Sequence, residues 1–351
     1  MQEKLAQVRN LLQRHFDSVD CEAFGRFKAD FSFGKMLRSK LLLTIAPDSP
    51  YSTQMCAIIE LIHFASLLHD DVIDSANLRR GKQSINAKHG DKNAIMLGDI
   101  LYSKAFYEVA GLSHIGGANL AQVISNAVYE LSLGELDDVS LGESMNLNAE
   151  KYLAMVARKT GALIEASAVC GGVLKPNSPS LAEGDKGGGF STQNNSSTQF
   201  SNNESTHPLT PSAREGELGI ESTAQINKYK IYGRNLGIAF QIIDDLLDIT
   251  QDDSTLGKES FSDFREGKTT LPYIHLYNAL GESDKAILKS YFKKPLDSAQ
   301  KGWIRAKMAE HKIVPLIQSI AKDYGTKALC VLDSSDKNLQ KIIKDMIDRE
   351  F

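Results

Sequence analysis

Two short stretches of the chain repeat the same spacing of aspartates. Residues 67–82 read LLHDDVIDSANLRRGK, and residues 241–250 read QIIDDLLDIT. Each stretch places three carboxylates at i, i+1 and i+4 after an apolar run, so a helix would gather them within an arc of about 100°. Like charges one turn apart destabilise a helix by roughly 0.2–0.5 kcal/mol, which indicates that a cation binds them. The six residues are Asp70, Asp71, Asp74, Asp244, Asp245 and Asp248.

Cationic residues follow each aspartate triplet. Arg79 and Arg80 follow the first triplet, and Lys258 and Lys268 follow the second. Mg²⁺ in proteins is typically held by one or two carboxylates together with substrate phosphates, and guanidinium and ammonium groups bind phosphate oxygens. Carboxylates followed by cations therefore predict a Mg²⁺–diphosphate site. One triplet alone is more typical of a solvated helix end, whereas two copies favour two acidic helix faces turned toward each other.

Other polar side chains stand at the beginning of predicted helices or within them. Lys35 and Arg38 begin a helix predicted over residues 33–46, where the helix dipole favours an anion, although a solvated helix start fits equally well. His63 lies on the Asp70 side of a helix predicted over residues 54–73, where a hydrogen-bonded core histidine is the commoner role.

Lys159 and Thr160 lie in the middle of an apolar helix predicted over residues 149–173. A charged lysine in that setting needs a partner or a ligand. The preceding helix, predicted over residues 119–139, ends in the acidic stretch 134–138, which we interpret as a solvated helix end rather than as part of a site.

Bulk properties place the chain among globular proteins. It has 351 residues, a net charge of −4 and 42% hydrophobic residues, so it can bury a large core and shows no sign of nucleic-acid binding. The N-terminal residues carry charge throughout, and no apolar run reaches the length of a membrane span. The four cysteines are widely spaced, as is typical of reduced thiols. We therefore expect a cytoplasmic protein.

Helical periodicity dominates and strand signals are almost absent, so the predicted fold is all-α, mostly a helix bundle. Residues 175–223 are rich in Gly, Asn, Ser and Pro and cannot bury enough apolar surface to order themselves. We predict one domain over residues 1–351, with residues 175–223 as a flexible insertion and helix resuming at Ala224.

Five stretches together carry a family resemblance. FGKMLRSK, LIHFASLLHDDVIDSANLRRGK, KTGAL, GIAFQIIDDLLD and GKESFSDFREGKTTLP resemble the trans-polyprenyl diphosphate synthases, nearest to the long-chain, octaprenyl-like type. The resemblance covers almost the whole chain except the insertion. It implies the isoprenoid synthase fold with a central cavity, Mg²⁺, a homodimer, and successive condensation of isopentenyl diphosphate onto an allylic diphosphate such as farnesyl diphosphate. A peripheral membrane contact for release of the hydrophobic product fits the same activity.

The resemblance also assigns roles to single residues. Asp70, Asp74 and Asp244 match Mg²⁺ ligands, whereas Asp71, Asp245 and Asp248 match supporting carboxylates. The positions that match isopentenyl diphosphate binding are Lys35, Arg38, His63 and Arg80. The positions that match allylic diphosphate binding are Arg79, Lys159, Thr160, Gln241, Lys258 and Lys268.

Two further positions match the family's control of product length. Ala65 and Ser66 precede the first triplet, and by resemblance their small size argues against a short-chain enzyme. Phe33 stands where the family pattern has a glycine, which bears on the geometry of the loop before Lys35.

Three other classes compete with this interpretation, besides a shorter-chain geranylgeranyl or farnesyl diphosphate synthase. A metal-dependent phosphohydrolase would use the pair His69-Asp70 with His63 and Asp248, but it would leave the cationic loops unexplained. A non-catalytic subunit of a heteromeric prenyl synthase would be expected to lose a triplet. A terpene cyclase would usually not keep both triplets together with Lys35 and Arg38.

Overall fold

The computed structural model describes residues 1–31, 33–79, 81–112, 115, 119–143, 145–175, 213–251 and 259–347. These residues form helices almost throughout, which confirms the all-α prediction. The helices are α1 (Gln2–Asp17), α2 (Glu22–Gly25), a 3-10 turn (Lys28–Asp30), α3 (Leu37–Ile45), α4 (Ser52–Ile73), α5 (Ile85–His89), α6 (Asp91–Ala110), α7 (Asn119–Glu143), α8 (Ala149–Val156), a π turn (Ala157–Gly161), α9 (Ala162–Leu174), α10 (Ala213–Thr250), α11 (Ser262–Glu266), α12 (Leu271–Ala279), α13 (Glu282–Tyr291), α14 (Ser298–Glu310), α15 (Ile313–Leu329) and α16 (Lys337–Ile347).

Helix α4 lies at the centre of the N-terminal half. It is hydrophobic nearly all round, as expected of a helix buried on every side, and α1, α3, α6 and α9 pack against it. Helix α10 has the corresponding place in the C-terminal half, where α9 and α15 pack against it. The two helices that carry the aspartate triplets are therefore the central helices of the bundle, and α9 packs against both of them.

Three local features differ from the sequence-based expectations. Helix α10 begins at Ala213, eleven residues before the predicted Ala224 and inside the predicted insertion. The helix predicted over residues 149–173 is interrupted by the π turn. The strands β1 (Leu78–Arg79) and β2 (Lys82–Gln83) form a short antiparallel pair, which the sequence pattern did not reveal because each strand has only two residues.

The rest of the predicted insertion, residues 176–212, lies outside the described residues. Within the described parts of the chain, no helix combines the length and the hydropathy that a membrane span requires.

A buried polar contact joins α3 to α4. Ser39 Oγ donates to Glu60 Oε1 at 2.6 Å, and both residues are buried. We expect Ser39→Ala to lower the free energy of unfolding by about 1–3 kcal/mol, because it leaves the Glu60 carboxyl group without this donor. Urea unfolding followed by circular dichroism measures the change. The exposed Ser319→Ala on α15 is the control, and equal stability of the two variants would contradict the prediction.

Candidate active site

The first aspartate triplet lies at the C-terminal end of α4. Asp71 is buried and forms a bidentate ion pair with Arg79, whose Nε donates to both carboxylate oxygens at 2.7 and 2.9 Å. Burial opposes the charge of Arg79, but the Asp71 carboxylate outweighs it and raises the Arg79 pKa. Asp71 therefore fixes the β1 arginine to the end of α4, while Asp70 and Asp74 are only partly buried.

The second triplet, on α10, divides in the same way. Asp245 and Asp248 are buried, whereas Asp244 is exposed. Asp248 accepts a hydrogen bond from Ser262 Oγ at 2.8 Å and another from the backbone N–H of Asp263 at 3.3 Å. These bonds attach the start of α11 to α10. In each triplet, buried carboxylates thus hold neighbouring elements in place, and the remaining ones are less buried.

Lys268 joins the two halves of the site. It follows the second triplet in sequence, yet its Nζ donates to Asp74 Oδ2 of the first triplet at 2.7 Å. Burial opposes the charge of Lys268, but the Asp263 and Asp74 carboxylates outweigh it and raise its pKa. The polar loop after the second triplet therefore ends at the first triplet.

Lys159 has the partners that its burial requires. Its Nζ donates to Asp138 Oδ2 at 2.7 Å and lies 2.7 Å from Glu135 Oε2, both on α7. Burial opposes the charge, but the carboxylates of Asp138 and Asp70 outweigh it and raise the Lys159 pKa. The interpretation of residues 134–138 as a solvated helix end was therefore wrong, because Glu135 is buried and Asp138 holds Lys159.

A chain of hydrogen bonds connects the π turn to the second triplet. Thr160 Oγ1 donates to Gln241 Oε1 at 2.7 Å, and Gln241 Nε2 donates to Asp245 Oδ1 at 2.7 Å. The Tyr152 hydroxyl donates to the other oxygen of Asp245. Burial raises the pKa of Asp245. This chain fixes Gln241, and Tyr152 is a member that sequence reasoning missed because nothing in its local pattern distinguishes it from a core tyrosine.

The predicted isopentenyl diphosphate residues lie before α3 and on α4. Lys35 is exposed in the loop that precedes α3, and Arg38 and His63 are partly buried. Phe33 anchors that loop, because its ring packs edge-on against Phe64 with centroids 5.9 Å apart. Two predicted binding residues lie outside the described residues, namely Arg80 and Lys258. Ala65 and Ser66 are both buried on α4.

The acidic groups near Asp70 suit a hard divalent cation. Burial, with the nearby carboxylates of Glu135 and Asp74, raises the pKa of Asp70 to about 7, although Lys159 opposes this shift. Crowded oxygen donors of this kind fit Mg²⁺. Among the residues that the structure describes, no three acidic, histidine or cysteine side chains form a metal cluster by themselves.

His69 belongs to the packing between α4 and α6. Its Nε2 lies 3.2 Å from the carbonyl oxygen of Ile95 and 3.5 Å from Asp99 Oδ1, and its ring packs near Tyr102. A Cβ atom added to Gly98 would lie 2.2 Å from this ring. His69 therefore faces α6, which leaves the pair His69-Asp70 without the shared metal face that a phosphohydrolase needs.

Comparison with known proteins identifies the family. The family model described as Polyprenyl synthetase matches residues 29–184 and 213–308. Octaprenyl diphosphate synthase of Escherichia coli is 32% identical over 246 residues, which span 69% of this chain and 62% of that protein. Geranylgeranyl diphosphate synthase of Saccharolobus solfataricus is 29% identical over 292 residues, which span 81% of this chain and 74% of that protein.

A solved structure supports the same conclusion. The crystal structure of octaprenyl pyrophosphate synthase from Helicobacter pylori superposes with a TM-score of 0.80 at 35% identity, and the match covers 99% of this chain and 100% of that one. The fold is thus the all-α isoprenoid synthase fold. The chain belongs to the polyprenyl synthetase family of prenyltransferase enzymes.

Proposed function

We propose that the chain is a Mg²⁺-dependent trans-polyprenyl diphosphate synthase. It adds isopentenyl diphosphate repeatedly to an allylic diphosphate such as farnesyl diphosphate and makes a long, octaprenyl-like product. The observation that carries this proposal is the contact between Lys268 and Asp74, because it joins the polar loop that follows the second triplet to the first triplet.

Each cycle requires the allylic C–O bond to break and diphosphate to leave. The alkene of isopentenyl diphosphate then attacks the allylic carbocation, and a proton passes to the released diphosphate, so no side-chain base is needed. Mg²⁺ bound by Asp70, Asp74 and Asp244 would neutralise charge on the leaving diphosphate. The positive charges of Lys159 and Lys268 stabilise the same negative charge. Because both side chains are held in place before the reaction starts, they need no reorganisation when that charge develops.

The remaining binding residues divide between two substrates. Lys35, Arg38, His63 and Arg80 bind isopentenyl diphosphate in this proposal. Arg79, Lys159, Thr160, Gln241, Lys258 and Lys268 bind the allylic diphosphate. The hydrogen bonds from Thr160 to Gln241 and from Arg79 to Asp71 support the second group, because they hold its members in place before substrate arrives.

Product length is the finer part of the proposal. The relatives named above make both octaprenyl and geranylgeranyl products, so they do not decide it. The small residues Ala65 and Ser66 before the first triplet support a long product. A geranylgeranyl or farnesyl product is the alternative outcome of the assay below.

The active form in this proposal is a homodimer joined through α6 and α7. These helices pack side by side and expose large apolar side chains. Met96 and Tyr107 are eleven residues apart on α6, close to three full turns, and Tyr129 and Leu136 are two turns apart on α7. A second copy of the chain would cover such aligned apolar stripes. We also place the enzyme in the cytoplasm, with peripheral membrane contact for product release.

Leu136→Glu is expected to weaken self-association. Leu136 has 67% of its surface exposed, and a buried charge in its place would cost about 2 kcal/mol, or about 30-fold in the dimer dissociation constant. Sedimentation velocity over a range of concentrations measures the shift. Leu316→Glu, at an exposed leucine on α15, is the control, and dissociation of both variants or of neither would argue against this interface.

One incubation tests the activity. The purified protein receives farnesyl diphosphate, labelled isopentenyl diphosphate and Mg²⁺, and a parallel sample contains EDTA. Dephosphorylated products are then resolved by chain length. A ladder that ends in a long prenol and disappears with EDTA is expected. Release of inorganic phosphate without incorporation would favour a phosphohydrolase, and no turnover would favour a subunit that awaits a partner.

A further inference from the structure

The π turn Ala157–Gly161 packs against both α7 and α10. Lys159 and Thr160 are consecutive residues of this turn, but their side chains contact different helices. Lys159 reaches Asp138 on α7, whereas Thr160 reaches Gln241 on α10. π turns are rare and often occur at functional sites. The turn thus sets the directions of both side chains at once.

The neighbouring helices approach this turn more closely than any side chain would permit. A Cβ atom added to Gly134 on α7 would lie 2.3 Å from the backbone N of Lys159 and 2.7 Å from its Cα. A Cβ atom added to Gly237 on α10 would lie 2.7 Å from the Cα of Gly161. The π turn is therefore enclosed on two sides by glycine backbone.

The two approaches follow from the shape of a π turn. Its hydrogen bonds run from i to i+5, so each turn holds one more residue than an α-helical turn and the backbone bulges outward. In a closely packed interior, this bulge needs space that neighbouring side chains would otherwise fill. Gly134 and Gly237 supply that space on α7 and α10, respectively.

We infer that Gly134 and Gly237 are positioning residues that hold the π turn in the geometry that aims Lys159 and Thr160 at the allylic diphosphate. The inference rests on the proposed function for the identity of that substrate. A methyl group at either glycine displaces the turn from α7 or α10. Lys159 then loses its alignment with Asp138 and Glu135, or Thr160 loses Gln241.

Gly233 on α10 provides a matched control. It lies one turn before Gly237, and a Cβ atom there would lie 2.7 Å from the Cα of Glu165. The nearest approach equals the one at Gly237, but it is to the regular helix α9 instead of the π turn, and Ala168 Cβ and the Ile164 carbonyl oxygen also lie 3.0 Å from the added atom. Gly233→Ala therefore disturbs helix packing without acting on Lys159 or Thr160 directly.

The experiment compares Gly134→Ala, Gly237→Ala and Gly233→Ala. Steady-state kinetics with farnesyl diphosphate and isopentenyl diphosphate give kcat and both KM values, and thermal melting identifies the folded variants. We expect the first two variants to lose about 100-fold in kcat/KM for the allylic substrate, as a displacement of about 1 Å does, with the KM for isopentenyl diphosphate unchanged. Gly233→Ala should lower the melting temperature while it keeps both KM values.

Hydrogen–deuterium exchange supplies a readout that needs no turnover. Peptides that span residues 157–161 should exchange faster in Gly134→Ala and Gly237→Ala than in the wild type, whereas Gly233→Ala should affect residues 162–168. If the wild type proves inactive, the proposed function fails and the exchange data still test the inference. Equal kinetic losses in all three variants, or unchanged exchange over residues 157–161, would overturn it. If Gly134→Ala does not fold, the inference is tested with Gly237→Ala, which has the milder clash.

Discussion

Asp70→Asn is expected to lower kcat by about 10²–10³-fold, the usual loss when one preorganised electrostatic group is removed from a site of developing charge. Ionisation of Asp70 is opposed in the folded protein, because burial and the Glu135 and Asp74 carboxylates raise its pKa to about 7. An ionised carboxylate at this position therefore lowers the free energy of unfolding. The amide of Asn has nearly the same shape but cannot supply the negative charge that holds Mg²⁺.

The same substitution is expected to stabilise the free protein at high pH. The pKa of Asp70 is raised in the folded state from its ordinary value of 3.8, so the folded protein binds the proton more tightly than the unfolded chain does. The ionised carboxylate therefore destabilises the fold increasingly as pH rises from about 4 to about 7, and by a constant amount above that range. Asp70→Asn should melt at a higher temperature than the wild type at pH 8, and this difference should vanish toward pH 4.

Two measurements together separate this explanation from simple misfolding. The assay of chain elongation is run over a range of Mg²⁺ concentrations, and melting is recorded at pH 4.5 and pH 8. The exposed Asp99→Asn on α6 is the control, because Asp99 lies near His69 and carries the same charge outside the proposed site. Full activity of Asp70→Asn at an unchanged Mg²⁺ requirement would remove Asp70 from the set of metal ligands.

The spacing of charged residues predicted the candidate site because the proposed chemistry is local in sequence. The i, i+1, i+4 triplets can be read from the chain, and each stands on a central helix of the bundle. Lys159 could be singled out since a lysine in an apolar helix must have a partner. The sequence could not name that partner. Glu135 and Asp138 lie on another helix, α7, which continues to Glu143, and acidic residues that face a neighbouring helix have the same local pattern as solvated ones.

The geometry that depends on close packing could not be predicted. The π turn at Ala157–Gly161 has no compositional signal, since it depends on the approach of Gly134 and Gly237 from two other helices. The β1–β2 pair has only two residues in each strand, too few for an alternating pattern. The first three turns of α10, residues 213–223, contain Gly216 and Gly219 and directly follow a Gly-, Asn-, Ser- and Pro-rich stretch, so composition placed the start of that helix too late.

Ala65→Phe is expected to shorten the product. Ala65 is fully buried on α4, five residues or about 7.5 Å along the axis from Asp70. The aromatic residue next to it, Phe64, packs against Phe16, Phe31 and Phe33, so its ring faces the N-terminal segment. Consecutive helical residues point about 100° apart, so Ala65 and Ser66 lie on other parts of the helix surface than Phe64.

In the proposed function the growing apolar tail passes position 65, so a phenylalanine there would obstruct it. The assay with farnesyl diphosphate and labelled isopentenyl diphosphate should then show a ladder that stops several units earlier than in the wild type. Ala65→Val and Ala65→Leu should give intermediate lengths, because the obstruction grows with side-chain volume.

Overpacking alone does not predict this graded result. Added bulk in a close-packed core costs about 1–3 kcal/mol wherever it is placed. Ala328→Phe, at an equally buried alanine on α15, should therefore lower the melting temperature by a similar amount and leave the product length unchanged. A folded Ala65→Phe variant with wild-type products would show that the tail does not pass Ala65, and product length would then have to be determined by residues elsewhere along the cavity. If product length changes in the Ala65 variants but not in Ala328→Phe, the small residues before the first triplet are assigned to the wall of the product tunnel.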